Sequence, residues 1–185
     1  MTSFLITVGL VLGVFVFLIF HASQKNTNQQ RENEKWLNDN GFTKYFINFL
    51  TNDAIGIDYE RSKIGIISKK QKNIFDFKNI VSVELIEDGK TISKTNRGSQ
   101  LFGAAIGAVT FGAVGGIIGG LSGASRSTNN VSKNSIHIFT RDIDVPFVEI
   151  RVFEGVPVDK SNFTYKLYTE NMMPWYGRLK AIIEQ

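Results

Sequence analysis

Cysteine is absent from the 185 residues. That excludes disulfides, thiolate metal sites and cysteine nucleophiles, and leaves the compartment open. Histidine occurs twice, as His21 and His137. A metal site needs further ligands at matching positions, and no such cluster accompanies either one, so both read as structural. Neither sign of charge dominates: 21 Lys and Arg against 17 Asp and Glu give a net charge of +4. This balance mildly favours an anionic surface and lacks the footprint of a nucleic-acid binder. Asp142, Asp144, Glu149 and Glu154 surround the late strands without a base or nucleophile beside them, and read as a solvated edge. The chain thus offers no catalytic residue, no cofactor site and no identifiable small-molecule substrate, and the reading is of a non-enzyme.

Charge is missing altogether from residues 101–124, LFGAAIGAVTFGAVGGIIGGLSGA. Ala104, Ala108, Gly112, Gly116, Gly120 and Ala124 recur at every fourth position. Gly103, Gly107, Gly115, Gly119 and Gly123 form a second ladder beside the first. Residues four apart share a helix face, so both ladders make a smooth strip. In lipid such a strip admits close helix packing. In water each glycine costs a helix about 1 kcal/mol relative to alanine. The segment therefore belongs in or against a membrane, as a helix-packing and oligomerisation face. It has no Gly-Lys-Ser/Thr ending and no βαβ context, which argues against a phosphate-binding loop.

Residues 4–20 form a second uncharged run, FLITVGLVLGVFVFLIF. With Thr2, Ser3, His21 and Ala22 it approaches the roughly 20 residues that cross a bilayer. No Lys or Arg precedes it and large residues fill it to Phe20, unlike a cleaved signal peptide. Residues 1–22 are expected to be a retained transmembrane anchor. Lys25, Arg31 and Lys35 follow, which predicts the N-terminus outside and the rest in the cytoplasm. Residues 23–51 read as a polar juxtamembrane linker with short helices, the aromatics Phe42, Tyr45, Phe46 and Phe49 suggesting a helical turn or two.

Beyond residue 52 the period becomes two. Strands are predicted over 54–59, 63–67, 74–77, 80–86, 135–140 and 146–153, with turns at 60–62, 69–73 and 87–89. Residues 90–100 read as a polar stretch and 155–164 as a loop. Residues 165–184 read as helical, with a break expected at Pro174. Lys69, Lys70 and Lys72 are the clearest basic cluster, near Lys63 and Lys78, while Arg97 and Arg126 flank the glycine-rich segment. Contact with anionic headgroups by Lys69, Lys70, Lys72, Arg97 and Arg126 is one reading, an ordinary solvated turn the other.

Several short strands closed by a helix, with Ile74-Phe75-Asp76-Phe77-Lys78-Asn79-Ile80-Val81-Ser82-Val83-Glu84 as a strand–turn–strand step, resemble bacterial PH-like and GRAM-like domains. The glycine-rich segment is similar to glycine-zipper segments of bacterial membrane proteins. The resemblance implies an α+β chain in which residues 52–185 form a PH-like antiparallel sandwich interrupted by 101–124, and binding of lipids, peptides or partner domains. One sandwich requires both halves on one side of the membrane, so 101–124 is expected to re-enter or lie at the interface; a true span would exclude the sandwich. The expected partners are membrane lipids and either a second copy or another membrane protein. Two alternatives stand beside this: a membrane-perturbing effector, as in phage exclusion or cell defence, and an anionic-lipid sensor.

Overall fold

The computed structural model describes residues 2–97 and 129–184, with side chains from Leu12 onward except Ile19. Helix α1 spans Thr2–Asp39. Among the described residues eight strands follow: β1 Lys44–Ile47, β2 Ala54–Asp58, β3 Lys63–Ser68, β4 Gln71–Asp76, β5 Ile80–Glu87, β6 Lys90–Asn96, β7 Asn130–Thr140 and β8 Phe147–Asp159. Helix α2, Phe163–Glu184, closes the chain. The strands form two four-stranded antiparallel sheets, β1-β2-β3-β4 and β6-β5-β7-β8. This α+β sandwich with a C-terminal helix fits the PH-like fold.

The alternation in β2 and β3 aims Ile55, Ile57, Ile64 and Ile66 at the second sheet, where they meet Val83, Leu85, Ile136, Ile138, Ile150 and Val152. Met172, Trp175, Tyr176, Leu179, Ile182 and Ile183 of α2 complete that core. The opposite faces of β2 and β3 are buried as well, because the end of α1 covers them: Leu37 and Phe42 pack on Ala54 and Ile67. Two glycines make the room. Gly56 and Gly65 stand opposite each other in the ladder. A Cβ on Gly56 would come within 2.9 Å of Phe42 Cβ, and one on Gly65 within 2.6 Å of the Phe42 ring. A strand glycine with nothing to pack marks a close approach, and here the visitor is Phe42.

Several sequence expectations are corrected, among them the loop over 155–164, since residues 155–159 continue β8. Residues 23–33 are not a linker but the middle of one continuous α1. The aromatics at 42–49 belong to a strand, since β1 pairs with β2 from Lys44↔Ile57 to Ile47↔Ala54 and the edge bonding of β2 outweighs a helical spacing. Residues 90–96 form β6, an edge strand whose lysines and threonines hide the apolar alternation. Helix α2 runs unbroken through Pro174, which lies on its exposed face. The carbonyl freed by the missing donor is that of Glu170, itself exposed, so water can satisfy it.

Strands β6 and β7 flank β5 and run parallel to each other. The chain leaves the sheet after Asn96, opposite Ser82, and rejoins it at Asn130, four residues ahead of the Asn134 that faces Glu87. The points of departure and return thus lie at opposite ends of β5. The readings of residues 101–124, including every Gly and Ala of the two ladders, and of Arg126 lie outside the described residues.

Gly65→Ala is expected to lower stability by about 1–3 kcal/mol through overpacking against Phe42. The denaturant midpoint of the detergent-solubilised chain reads this, and adding Phe42→Leu should restore part of the loss. An unchanged midpoint would show that the ring does not need the slot.

Candidate functional site

Asn26, Gln29, Gln30, Asn33, Trp36 and Leu37 recur at helical spacing, and each is partly or fully buried along one stripe of α1. The first four are amides, and they dock by hydrogen bonding. Asn26 Nδ2 and Gln30 Nε2 both donate to the Phe49 carbonyl, at 3.2 and 3.3 Å. Asn33 Nδ2 donates to the Asn52 carbonyl at 2.8 Å, and Asn33 Oδ1 receives Gln29 Nε2 at 3.1 Å. Asn52 Nδ2 donates back to Asn26 Oδ1 at 2.5 Å. The helix thereby grips the turn between β1 and β2, where Asn52 holds a left-handed φ of 59°.

The same turn is fastened to the second sheet. Buried Asn48 donates its amide to the Arg151 and Val152 carbonyls, while its Oδ1 receives the Leu50 and Thr51 backbone N–H groups. Asp53, 1% exposed, accepts Arg151 Nη2 at 2.7 Å and Nε at 3.0 Å. The Arg151 backbone N–H, at 2.9 Å, and that of Lys69, at 3.2 Å, complete its shell. A buried carboxylate so paired is satisfied, and the Asp53 carboxylate in turn keeps the Arg151 guanidinium above its ordinary range, against the opposing pull of burial.

Beside this clasp lies the turn of Lys69 and Lys70, with φ of 49° and 70°. Ser68 pairs with Gln71, so the loop has two residues, both left-handed, where Asn-Gly is usual. Lys69 Nζ reaches Glu149 at 3.1 Å and Lys133 Nζ reaches it at 2.8 Å. Burial raises the Glu149 carboxyl, but hydrogen bonds and charge from Lys133 and Lys69 outweigh it and hold it at about 2. Glu149 is thus a mostly covered, paired group rather than part of a solvated edge. Asp142 instead caps the β7–β8 turn, receiving the Asp144 and Val145 N–H groups. A small cleft between α1 and the sandwich is lined by Gln29, Asn33, Thr51, Asn52, Lys69, Lys70 and Arg151.

The remaining sequence candidates scatter. Lys70 and Lys72 are exposed and make no ion pair among the described residues. Arg97 turns inward and donates to the carbonyls of Ile80, Phe77 and Ile182 at 3.0, 2.7 and 3.1 Å, so it braces β5 against α2 instead of meeting headgroups. Near the point of return, Asp88 Oδ1 receives Ser132 N and Oγ and Lys133 N, and Tyr165 donates to Glu87, its phenol pushed up to about 12 by burial and that carboxylate. His137 meets Phe147 edge-on at 5.0 Å and His21 stacks on Phe17. Among the described residues no group of three or more His, Asp or Glu side chains is placed to hold a metal. The clasp residues Asn48, Asp53 and Arg151 escaped the sequence reading, since isolated polar residues carry no spacing. The amide stripe of α1 did carry one.

Among the described side chains, no helix is long and apolar enough to cross a membrane. The exposed residues of α1 from Leu12 to Phe20 continue an apolar run whose first part lies outside those side chains.

The sequence profile of the family described as "Glycine zipper containing PH domain" matches residues 44–154. The SPbeta prophage-derived uncharacterized membrane protein YomJ of Bacillus subtilis (strain 168) is 27% identical over 179 residues, covering 88% of this chain and 77% of that protein. No solved structure matches the chain.

Arg151→Met leaves Asp53 buried without its partner and should cost about 3–5 kcal/mol, read from the denaturant midpoint. A loss below about 1 kcal/mol would mean the pair is ornamental to the junction.

Proposed function

The chain belongs to the family of PH domains that contain a glycine zipper, and on that footing we propose a membrane-anchored, non-enzymatic interaction protein. It binds a membrane partner, or a second copy of itself, through the Gly/Ala face of residues 101–124. The observation that carries this is the continuity of α1. One helix bears the exposed apolar residues Leu12, Val14, Phe15, Val16, Phe17, Leu18 and Phe20, and about two to four turns later is hydrogen-bonded into the sandwich. In water such a stretch is a liability, and in a bilayer it is an anchor. The relative's description as a membrane protein supports the same reading. Lys25, Arg31 and Lys35 favour an orientation with the N-terminus out and the sandwich in the cytoplasm.

The direction of α1 also orients the sandwich. Asn40, at its C-terminal end, lies by Arg61 of the β2–β3 turn, while Asn26 and Asn33 lie by Phe49 and Asn52. The end of the sandwich toward the anchor is therefore the end that carries the Lys69–Lys70 turn. Two left-handed lysines cost a turn about 1–2 kcal/mol each, and a basic residue near an anionic surface contributes about 1 kcal/mol. Lys69, Lys70 and Lys72 accordingly serve as headgroup contacts that hold the domain close to the bilayer.

The Gly112→Leu, Gly116→Leu double variant should reduce detergent-resistant oligomers of the full chain. Oligomers of unchanged size would remove self-association through that face. Liposomes carrying the native protein should keep an entrapped dye; leakage would favour a permeabilising effector instead.

A further inference from the structure

We propose that the free edge of β4 is a docking site for an extended segment of a partner protein. The segment adds as a further strand, with an acidic residue opposite Lys72 and an apolar one opposite Ile74. Strand β4 ends its sheet, and among the described residues no other strand pairs with it beyond β3. Its bonding phase follows from the two-residue turn. Ser68 and Gln71 close that turn, so Gln71, Asn73 and Phe75 bond to β3. The Phe77 N–H continues the phase by donating to the Ser62 carbonyl at 2.9 Å. Lys72, Ile74 and Asp76 therefore turn their N–H and C=O groups away from β3. The edge of β8 is instead tied down by Asn48, Ser68 and Asp53. A row of unpaired backbone groups is a template for another chain.

Side chains of an added strand alternate between two faces, and β4 has a cavity on each. On the face of Ile74, which is 40% exposed, a cavity of about 370 Å³ is lined by Phe42, Gly41, Arg61 and Lys63. On the face of Asn73, a cleft of about 490 Å³ opens onto Val145, Pro146 and Phe147. In such an arrangement backbone bonds supply affinity and the alternate pockets supply specificity. Charge narrows the partner. Lys72 is exposed, makes no ion pair among the described residues, and shares the face of Ile74 two positions away. A strand running antiparallel to β4 thus reads apolar, apolar, acidic past Ile74, Asn73 and Lys72. Of the three lysines read above as headgroup contacts, Lys72 is the one within the strand, and the added segment takes it over. A second copy does not fit, on the reading of α1 as the anchor. Helix α1 and β4 both run from the end of the β1–β2 turn toward Arg61 and the β2–β3 turn. Two β4 edges pair antiparallel about an axis normal to the sheet, which would send the two anchors in opposite directions.

The probe is a synthetic peptide with the core Lys-Thr-Ile-Val-Glu-Thr, whose Ile falls opposite Ile74, Val opposite Asn73 and Glu opposite Lys72. It is titrated into the full chain in nonionic detergent, with amide hydrogen exchange as the readout. The expected result is saturable binding that slows exchange at Lys72, Ile74 and Asp76. N-methylation of the peptide's Ile removes an N–H aimed at β4 and should weaken binding about tenfold or more. N-methylation of its Val, whose N–H points away, should change binding less than about threefold. Lys72→Glu should weaken binding as well, and a peptide with Lys in place of its Glu should restore it. No saturable binding at millimolar peptide, or equal loss on methylating either position, would overturn the proposal. Slow exchange at those three amides without peptide would also overturn it, a sedimenting dimer then marking a second copy as the occupant. The peptide measurement in detergent does not depend on α1 crossing a bilayer.

Discussion

The ion pair between Asp53 and Arg151 fixes how the parts of this chain meet. Asp53 sits in the turn that leaves β1, Arg151 lies in β8, and the shared carboxylate also takes the backbone N–H of the β3–β4 turn. A buried carboxylate tolerates few geometries, because each lost donor leaves a charge without solvent. The turn is thus set against both sheets, and α1 is set against the turn by Asn26, Gln30 and Asn33. This polar junction ties the helix, the turn and both sheets together, beside the apolar packing of Leu37 on Ala54 and Ile67.

That arrangement turns α1 into a strut. A flexible linker would leave the apolar start of the helix free to move relative to the sandwich, whereas an unbroken helix with a hydrogen-bonded foot fixes the direction in which it leaves. The glycine-rich segment enters the same geometry from its two flanks. It departs past Arg97, braced by three carbonyls, and returns at Asn129, whose carbonyl receives Lys160 N–H and whose amide reaches Asp159. Since β5 pairs with both β6 and β7, the chain before and after the segment shares one sheet and one side of any membrane.

Much of the sandwich was legible in the sequence, because Ile55, Ile57, Ile64 and Ile66 recur at period two and the 80–86 run is largely β-branched, although β2 and β3 are buried on both faces. Asp88-Gly89 marked its two-residue turn in the same way. What stayed hidden was held by polar groups or by tertiary neighbours. Strand β6 has little apolar pattern because it is an edge. The amides of α1 have the composition of a linker and no apolar stripe, yet positions 26, 29, 30, 33, 36 and 37 keep the helical period. Pro174 suggested a break that packing overrides, since its defect falls on the wet side. Asp53 and Arg151 lie 98 residues apart, and no local pattern links them.

If β5 and β7 share a sheet, the two halves of the chain must lie on one side of the membrane. Single cysteines at Ser3, Ser62 and Ser161 would be probed with a membrane-impermeant thiol reagent in cells and in inverted vesicles. A helix anchored with its foot in one sandwich predicts Ser3→Cys labelled only from outside, and Ser62→Cys and Ser161→Cys labelled only from the cytoplasmic side. Labelling of Ser62→Cys and Ser161→Cys from opposite sides would contradict it, because β5 and β7 cannot then share a sheet.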